Sequence, residues 1–157
     1  MKKLFFAAVV ACVGFFSTSC DKNEDGTPII PTISASIDNQ EWVGIAPKGV
    51  LSHGVLTIAS TSLDGKAIDI TINGEAIGSY ELNPLLVKAQ CGAVYKPSLL
   101  NNEIPSLLSI NGKVVITKFD TSKKRVSGTF EFNLANATAI SQITKGTFND
   151  VSYTTVQ

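Results

Sequence analysis

The chain has 157 residues, 44% of them hydrophobic and 17% charged, with 13 basic and 13 acidic side chains. That length supports one domain with a real core, and the balanced charge excludes the basic surface that nucleic acid requires. Without Lys2 and Lys3, which sit in a removable leader, 11 basic side chains face 13 acidic ones, a net of −2; the cluster Lys123-Lys124-Arg125 then reads as a solvated hairpin tip.

Residues 1–20, MKKLFFAAVVACVGFFSTSC, open with Lys2 and Lys3 and continue with thirteen apolar residues from Leu4 to Phe16. A bilayer span needs about 20, so the run has the length of a signal-peptide core. Ser17, Thr18 and Ser19 are small and lead directly into Cys20. A general signal peptidase asks only for small residues; a lipoprotein peptidase asks for cysteine at the first mature position, where the thiol accepts a diacylglycerol before cleavage. Residues 1–19 are therefore expected to be a lipoprotein signal peptide, and Cys20 the lipidated residue. Several acyl chains on that cysteine give stable anchoring where one would not.

Residues 20–32 form the lipidated cysteine and a flexible tether. Pro28 and Pro31 disfavour both helix and ladder, and twelve flexible residues span roughly 20 Å. Asp21, Asn23, Asp25 and Gly26 match the opening of an EF-hand loop, but its twelfth position is Thr32 instead of a bidentate Glu and its eleventh is Pro31. No calcium site is expected there.

Residues 33–157 read as one all-β domain. Ile33, Ala35 and Ile37 alternate with serines, and a two-residue turn at Asp38-Asn39 sets Trp42 opposite Ala35 as a core anchor. Val55 to Asn73 is a second hairpin. A three-residue loop, Asp64 to Lys66, would pair Ile58 with Ile72 and gather Leu56, Ile58, Ile70 and Ile72 on one face. Gly78 to Leu82 and Cys91 to Tyr95 are short strands. Between Asn83 and Leu108, three prolines interrupt a leucine-rich stretch that is expected to pack over a barrel end or a sheet edge, the alternative being a partner site.

The most regular stretch is Ile110 to Leu134. Val126, Gly128, Phe130, Phe132 and Leu134 alternate with Ser127, Thr129, Glu131 and Asn133, the period of a half-buried strand. Ile110, Val114 and Ile116 offer the matching apolar face of the strand before it. Near the C-terminus, Gly146-Thr147-Phe148 echoes Gly128-Thr129-Phe130, and the change of parity between Phe148 and Val151–Tyr153 predicts a bulge at Asn149-Asp150. These elements predict eight to ten antiparallel strands, joined mainly as a meander, in a β-sandwich or a partly open barrel.

The arrangement resembles a family of small uncharacterised lipoproteins from Bacteroidetes. The matching segments are the leader ending in Cys20, the early turn followed by Trp42, Gly78-Ser79-Tyr80-Glu81-Leu82, Gly112 to Asp120, Ser127-Gly128-Thr129-Phe130 and Gly146-Thr147-Phe148. The resemblance implies an exported all-β domain in the outer membrane, facing the periplasm or the cell surface. It implies, too, that the acidic residues after Cys20 act as an export signal. It carries over no activity and no catalytic residue.

Candidate chemistry is sparse. The mature chain offers one His, at 53, and one Cys, at 91. Cys91 cannot form an internal disulfide, and it reads as a buried structural thiol. Ser52-His53-Gly54 lacks a nucleophile elbow, a lone His and a lone Cys do not make a zinc site, and no phosphate-cradling glycine loop is present. No cofactor is expected. The carboxylates Asp38, Asp64, Asp120 and Asp150 sit in turns, where they cap amides. The expected function is a membrane-anchored, non-enzymatic interaction module whose ligand is a surface protein or a glycan. The alternative is a carbohydrate-active or other hydrolase whose carboxylate pair is assembled only in the fold.

Overall fold

The computed structural model describes residues 30–83, 85, 88–101 and 103–157. The leader, Cys20 and the stretch from Asp21 to Gly26 lie outside them. The described chain is all-β, with nine strands: β1 (Thr32–Ile37), β2 (Gln40–Ser52), β3 (Val55–Thr61), β4 (Ala67–Asn73), β5 (Gly78–Leu82), β6 (Cys91–Lys96), β7 (Leu107–Asp120), β8 (Arg125–Ala135) and β9 (Ile140–Val156). Eight of them close a ring in the order β7-β6-β4-β3-β2-β1-β9-β8, with β8 returning to β7. β5 pairs with β7 beyond the short reach of β6 and completes that part of the wall. The architecture is thus a closed barrel, and the meander is broken only by β5.

The early hairpin forms as its alternation dictates. Asp38 and Asn39 both have positive φ, 51° and 67°, as a two-residue mirror-image turn requires. Trp42 lies opposite Ala35 and is buried, its indole N–H donating to the Lys66 carbonyl at 3.3 Å. The second hairpin differs from expectation by two residues. Leu56 faces Ile72 and Ile58 faces Ile70, because the three-residue loop is Leu63 to Gly65, flanked by the Ser62 N–H bonding the Lys66 carbonyl. Gly65, at φ 80°, takes the left-handed position that ends such a loop. A shift of two preserves facing, so the four apolar residues are still buried together.

On β7, Val114 and Ile116 are fully buried, but Ile110 is exposed. A bulge between Ser109 and Asn111 lets this residue leave the face that the sequence assigns it. The bulge predicted at Asn149-Asp150 is present. Val126 pairs with Val151 and Gly128 with Phe148, so β9 carries one extra residue there, and Asp150 has φ 46°. Its freed amide donates to Ser127 Oγ at 2.9 Å, the Arg125 guanidinium donates to its carbonyl at 2.8 Å, and Lys118 Nζ reaches its carboxylate at 2.7 Å. That is why Ser127, on the outward parity, is nevertheless buried.

The Gly-Thr-Phe echo has a structural meaning. The two tripeptides run antiparallel around the pair Thr129–Thr147, so Gly128 faces Phe148 and Gly146 faces Phe130. A third pair, Gly112 with Phe132, joins β7 to β8. Each ring lies over the glycine of its neighbour strand. A Cβ on Gly146 would sit 2.6 Å from the Phe130 ring, and one on Gly128 2.6 Å from Phe148. The Phe130 ring centroid stands 6.3 Å from Phe148 and 6.5 Å from Phe132, so the three rings are one cluster.

The leucine-rich loop does not close the barrel as expected. Leu100 is 91% exposed and Leu85 is likewise at the surface; among the described residues of the stretch, Leu107 is the leucine that reaches the core. The far end of the barrel is already plugged by Ile37, Trp42, Tyr95 and Leu107. The loop is held by local bonds, with Ser98 Oγ accepting from the Leu100 and Asn101 amides and Asn101 from Glu103, and by ties to neighbouring turns, the Leu99 amide donating to the Gly65 carbonyl at 2.8 Å and Asn136 Nδ2 to the Pro105 carbonyl.

Two sets of substitutions test this core. Phe130 and Phe132 are buried while Glu131 between them is exposed and pairs only with Lys113 at 3.1 Å. Urea melts should show losses of about 3–5 kcal/mol for Phe130→Ala and Phe132→Ala, against less than about 0.5 kcal/mol for Glu131→Ala. Comparable losses at all three positions would contradict a wall with one wet face. Gly146→Ala should destabilise by about 1–3 kcal/mol through overpacking, although alanine is ordinarily favoured over glycine in a strand. A neutral or stabilising alanine would refute the ring-over-glycine account.

Candidate functional site

The residues with reactive side chains are not brought together. His53 and Gly54 form the β2–β3 turn, with φ values of 49° and 79°, and the His53 ring bonds Ser52 Oγ at 2.9 Å on the exposed surface. Cys91 opens β6 and is buried. Its thiol donates to the Tyr80 carbonyl of β5 at 3.1 Å, so its partner is a backbone group at the seam between β5 and β6. Burial pushes the Cys91 thiol up to about 11 from an ordinary 9.0. A thiol so held is protonated at neutral pH and is a weak nucleophile.

The carboxylates are engaged one by one. Asp64 bonds Lys66 Nζ at 2.7 Å and accepts from Ser62 Oγ, and these bonds pull it down to about 2. Asp69 holds Lys96 at 2.6 Å, Asp150 holds Lys118, and Glu131 holds Lys113. Asp38 accepts the Gln142 amide at 2.7 Å and Asp120 the Lys123 amide at 2.8 Å. Asp38 and Asp120 thus cap amides as the sequence assigns, whereas the carboxylates of Asp64 and Asp150 bind lysine side chains instead. Among the described residues, no three His, Cys, Asp or Glu side chains gather as metal ligands would.

What remains is the outside of the barrel, whose two ends differ. The chain enters β1 at the end that carries the turns at residues 53–54 and 121–124. The opposite, far end carries the turns at 38–39, 62–66, 97–106 and 136–139. There Glu41, Val43, Ile45, Leu63 and Asp64 line a cleft of about 400 Å³ against the flank of Trp42. Val43 is 52% exposed, Ile45 47% and Leu63 90%, an apolar row bounded by carboxylates. A smaller cleft of about 190 Å³ lies beside it, lined by Asp38, Glu41, Lys66 and Tyr95 among others. The sequence reading passed over this row. Its signal was Val43 and Ile45 sharing the parity opposite to Trp42, which an outward-facing strand surface does not need.

The chain is thus a closed β-barrel with a packed core and an exposed apolar row at its far end. The chain belongs to the family described as a domain of unknown function (DUF6252), whose sequence model matches residues 30–152. Neither curated proteins nor solved structures give a match.

The Cys91 environment is directly testable. In the folded protein the thiol should react with a disulfide reagent at pH 7 orders of magnitude more slowly than after denaturation in urea. Because its folded pKa is raised, its contribution to stability is fully present below pH 9.0 and lost as the pH rises to about 11. Rapid labelling of the native protein would place Cys91 at the surface.

Proposed function

We propose that the protein is an exported lipoprotein of the outer membrane, anchored through Cys20, whose barrel serves as a non-enzymatic binding module. The observation that carries this reading is the leader itself: a charged start, a thirteen-residue apolar core and small residues ending on Cys20, twelve residues ahead of β1. The Bacteroidetes resemblance supports the outer-membrane location, and the family match to an uncharacterised domain is compatible with it. The binding role is supported by the packed core inside the ring, which directs recognition to the surface, and by the exposed apolar row at the far end. With the tether entering at the opposite end, that row faces away from the membrane.

The anchor is tested by metabolic labelling. Wild-type chain should incorporate radiolabelled palmitate and partition into detergent, and Cys20→Ser should do neither. Palmitate uptake by the serine variant would overturn the assignment. Protease treatment of whole cells separates the cell surface, where the barrel is cleaved, from the periplasm, where it is protected.

A further inference from the structure

β2 is longer than the strand that flanks it. β3 covers β2 only from Ile45 onward, where Thr61 is its partner, and the chain then turns away at Ser62. Gln40 to Gly44 overhang on that side. The direction of their backbone groups follows from the β1–β2 turn. In a two-residue hairpin the flanking residues, Ile37 and Gln40, form a hydrogen-bonded pair, and the pattern alternates from there. Gln40, Trp42 and Gly44 therefore point their N–H and C=O groups to β1, while Glu41 and Val43 point theirs outward into the far-end cleft. The next residue on that parity, Ile45, confirms the direction, since its carbonyl accepts from Ser60 Oγ of β3 at 2.9 Å. Among the described residues, the outward N–H and C=O of Glu41 and Val43 have no partner.

Two donors and two acceptors in a row, at the spacing of a strand, are what an extended backbone recognises. The surroundings say what its side chains must be. Val43, Ile45 and Leu63 ask for apolar residues at alternate positions. Asp64 across the cleft is already paired with Lys66, whereas Glu41 has no ion pair among the described residues, so a cation is favoured beside Glu41. We propose that the overhanging edge of β2 is a β-augmentation site, which takes an extended segment of a partner protein with alternating apolar residues and a flanking lysine or arginine. A second copy of the chain is disfavoured as occupant, because the Leu63–Gly65 loop walls a cleft whose volume fits a few residues of one chain. This inference deepens the binding-module reading and is independent of the lipid anchor.

The probe is a capped hexapeptide alternating valine with lysine and threonine, and its analogue N-methylated at alternate residues. The protein is the full chain in detergent micelles. Trp42 is the chain's only tryptophan and flanks the cleft, so its emission reports occupancy. The hexapeptide should give a saturable change in emission and slow hydrogen exchange at Glu41 and Val43 by about tenfold or more. N-methylation, which removes the peptide's donors, should weaken binding by about tenfold. Val43→Pro deletes an edge donor while sparing the ladder to β1 and should lose affinity similarly. No saturable change at millimolar peptide, or equal binding of the N-methylated analogue, would overturn the proposal. So would a dimer that protects Glu41 and Val43 without peptide. Should Val43→Pro fail to fold, the comparison of the two peptides still decides.

Discussion

The interior of a closed eight-stranded barrel has a volume set by the number of strands and their stagger, and side chains must fill it without exceeding it. Here that constraint is met on the β7-β8-β9 wall by pairing rings with glycines across neighbouring strands. Phe130 lies over Gly146, Phe148 over Gly128 and Phe132 over Gly112. Three large side chains on adjacent strands could not all project inward if each faced another side chain with a Cβ. The opposite wall, β3 and β4, meets the constraint differently, with Leu56, Ile58, Ile68, Ile70 and Ile72 all fully buried and none of them aromatic. Rings on one side and branched aliphatics on the other give the cross-barrel interdigitation that close packing needs.

Closure also demands that long strands bend, and the bends are built from bulges. Ala46, Lys145 and Asp150 have positive φ, and each lies where a ladder gains a residue on one strand only. These bulges change which residues face inward. On β9 the inward set passes from Phe148 to Val151 and Tyr153 across Asp150. On β2 the bulge at Ala46 keeps Leu51 inside while the strand continues past the end of β1, where it pairs directly and in parallel with β9 from Lys48 to Ser52. The same long, bent β2 overhangs β3 at its other end. The edge at Glu41 and Val43 is thus a by-product of how the ring closes.

The legibility of each element follows the range of the forces that fix it. The β1–β2 hairpin is local, since two turn residues and a strict alternation determine its register, and Trp42 was placed from them alone. The Phe130–Leu134 face and the bulge at Asp150 were readable because parity is counted along one strand. The β3–β4 loop was displaced by one position because alternation fixes facing but not register. The deciding requirement was for Gly65 to take the left-handed site. The loop leucines misled because hydrophobicity states a preference for burial without saying whether room exists, and Trp42, Tyr95 and Leu107 had filled it. Closure into a barrel, and the meaning of the two Gly-Thr-Phe segments, depend on β8 lying beside β9 in one particular register, which no short window contains.

A filled barrel confines function to its surface. Lipocalin-like barrels of the same strand number hold one ligand inside, but here Phe130, Phe132 and Phe148 occupy that space. Recognition must then use either outward side chains or the sheet's own backbone. Eight outward charges are committed to one another: Lys113 to Glu131, Lys118 to Asp150, Lys96 to Asp69 and Lys66 to Asp64. The seam at β5 is committed as well, because the Cys91 thiol caps the Tyr80 carbonyl and Gln90 exchanges bonds with Glu81. A barrel normally abolishes sheet edges, but beside Glu41 and Val43 the edge of β2 is left without a neighbouring strand. There the protein keeps strand-pairing capacity, flanked by apolar residues, at the end opposite the start of β1. At that edge, backbone groups and exposed apolar side chains are available to the same partner, so pairing and side-chain recognition would act together.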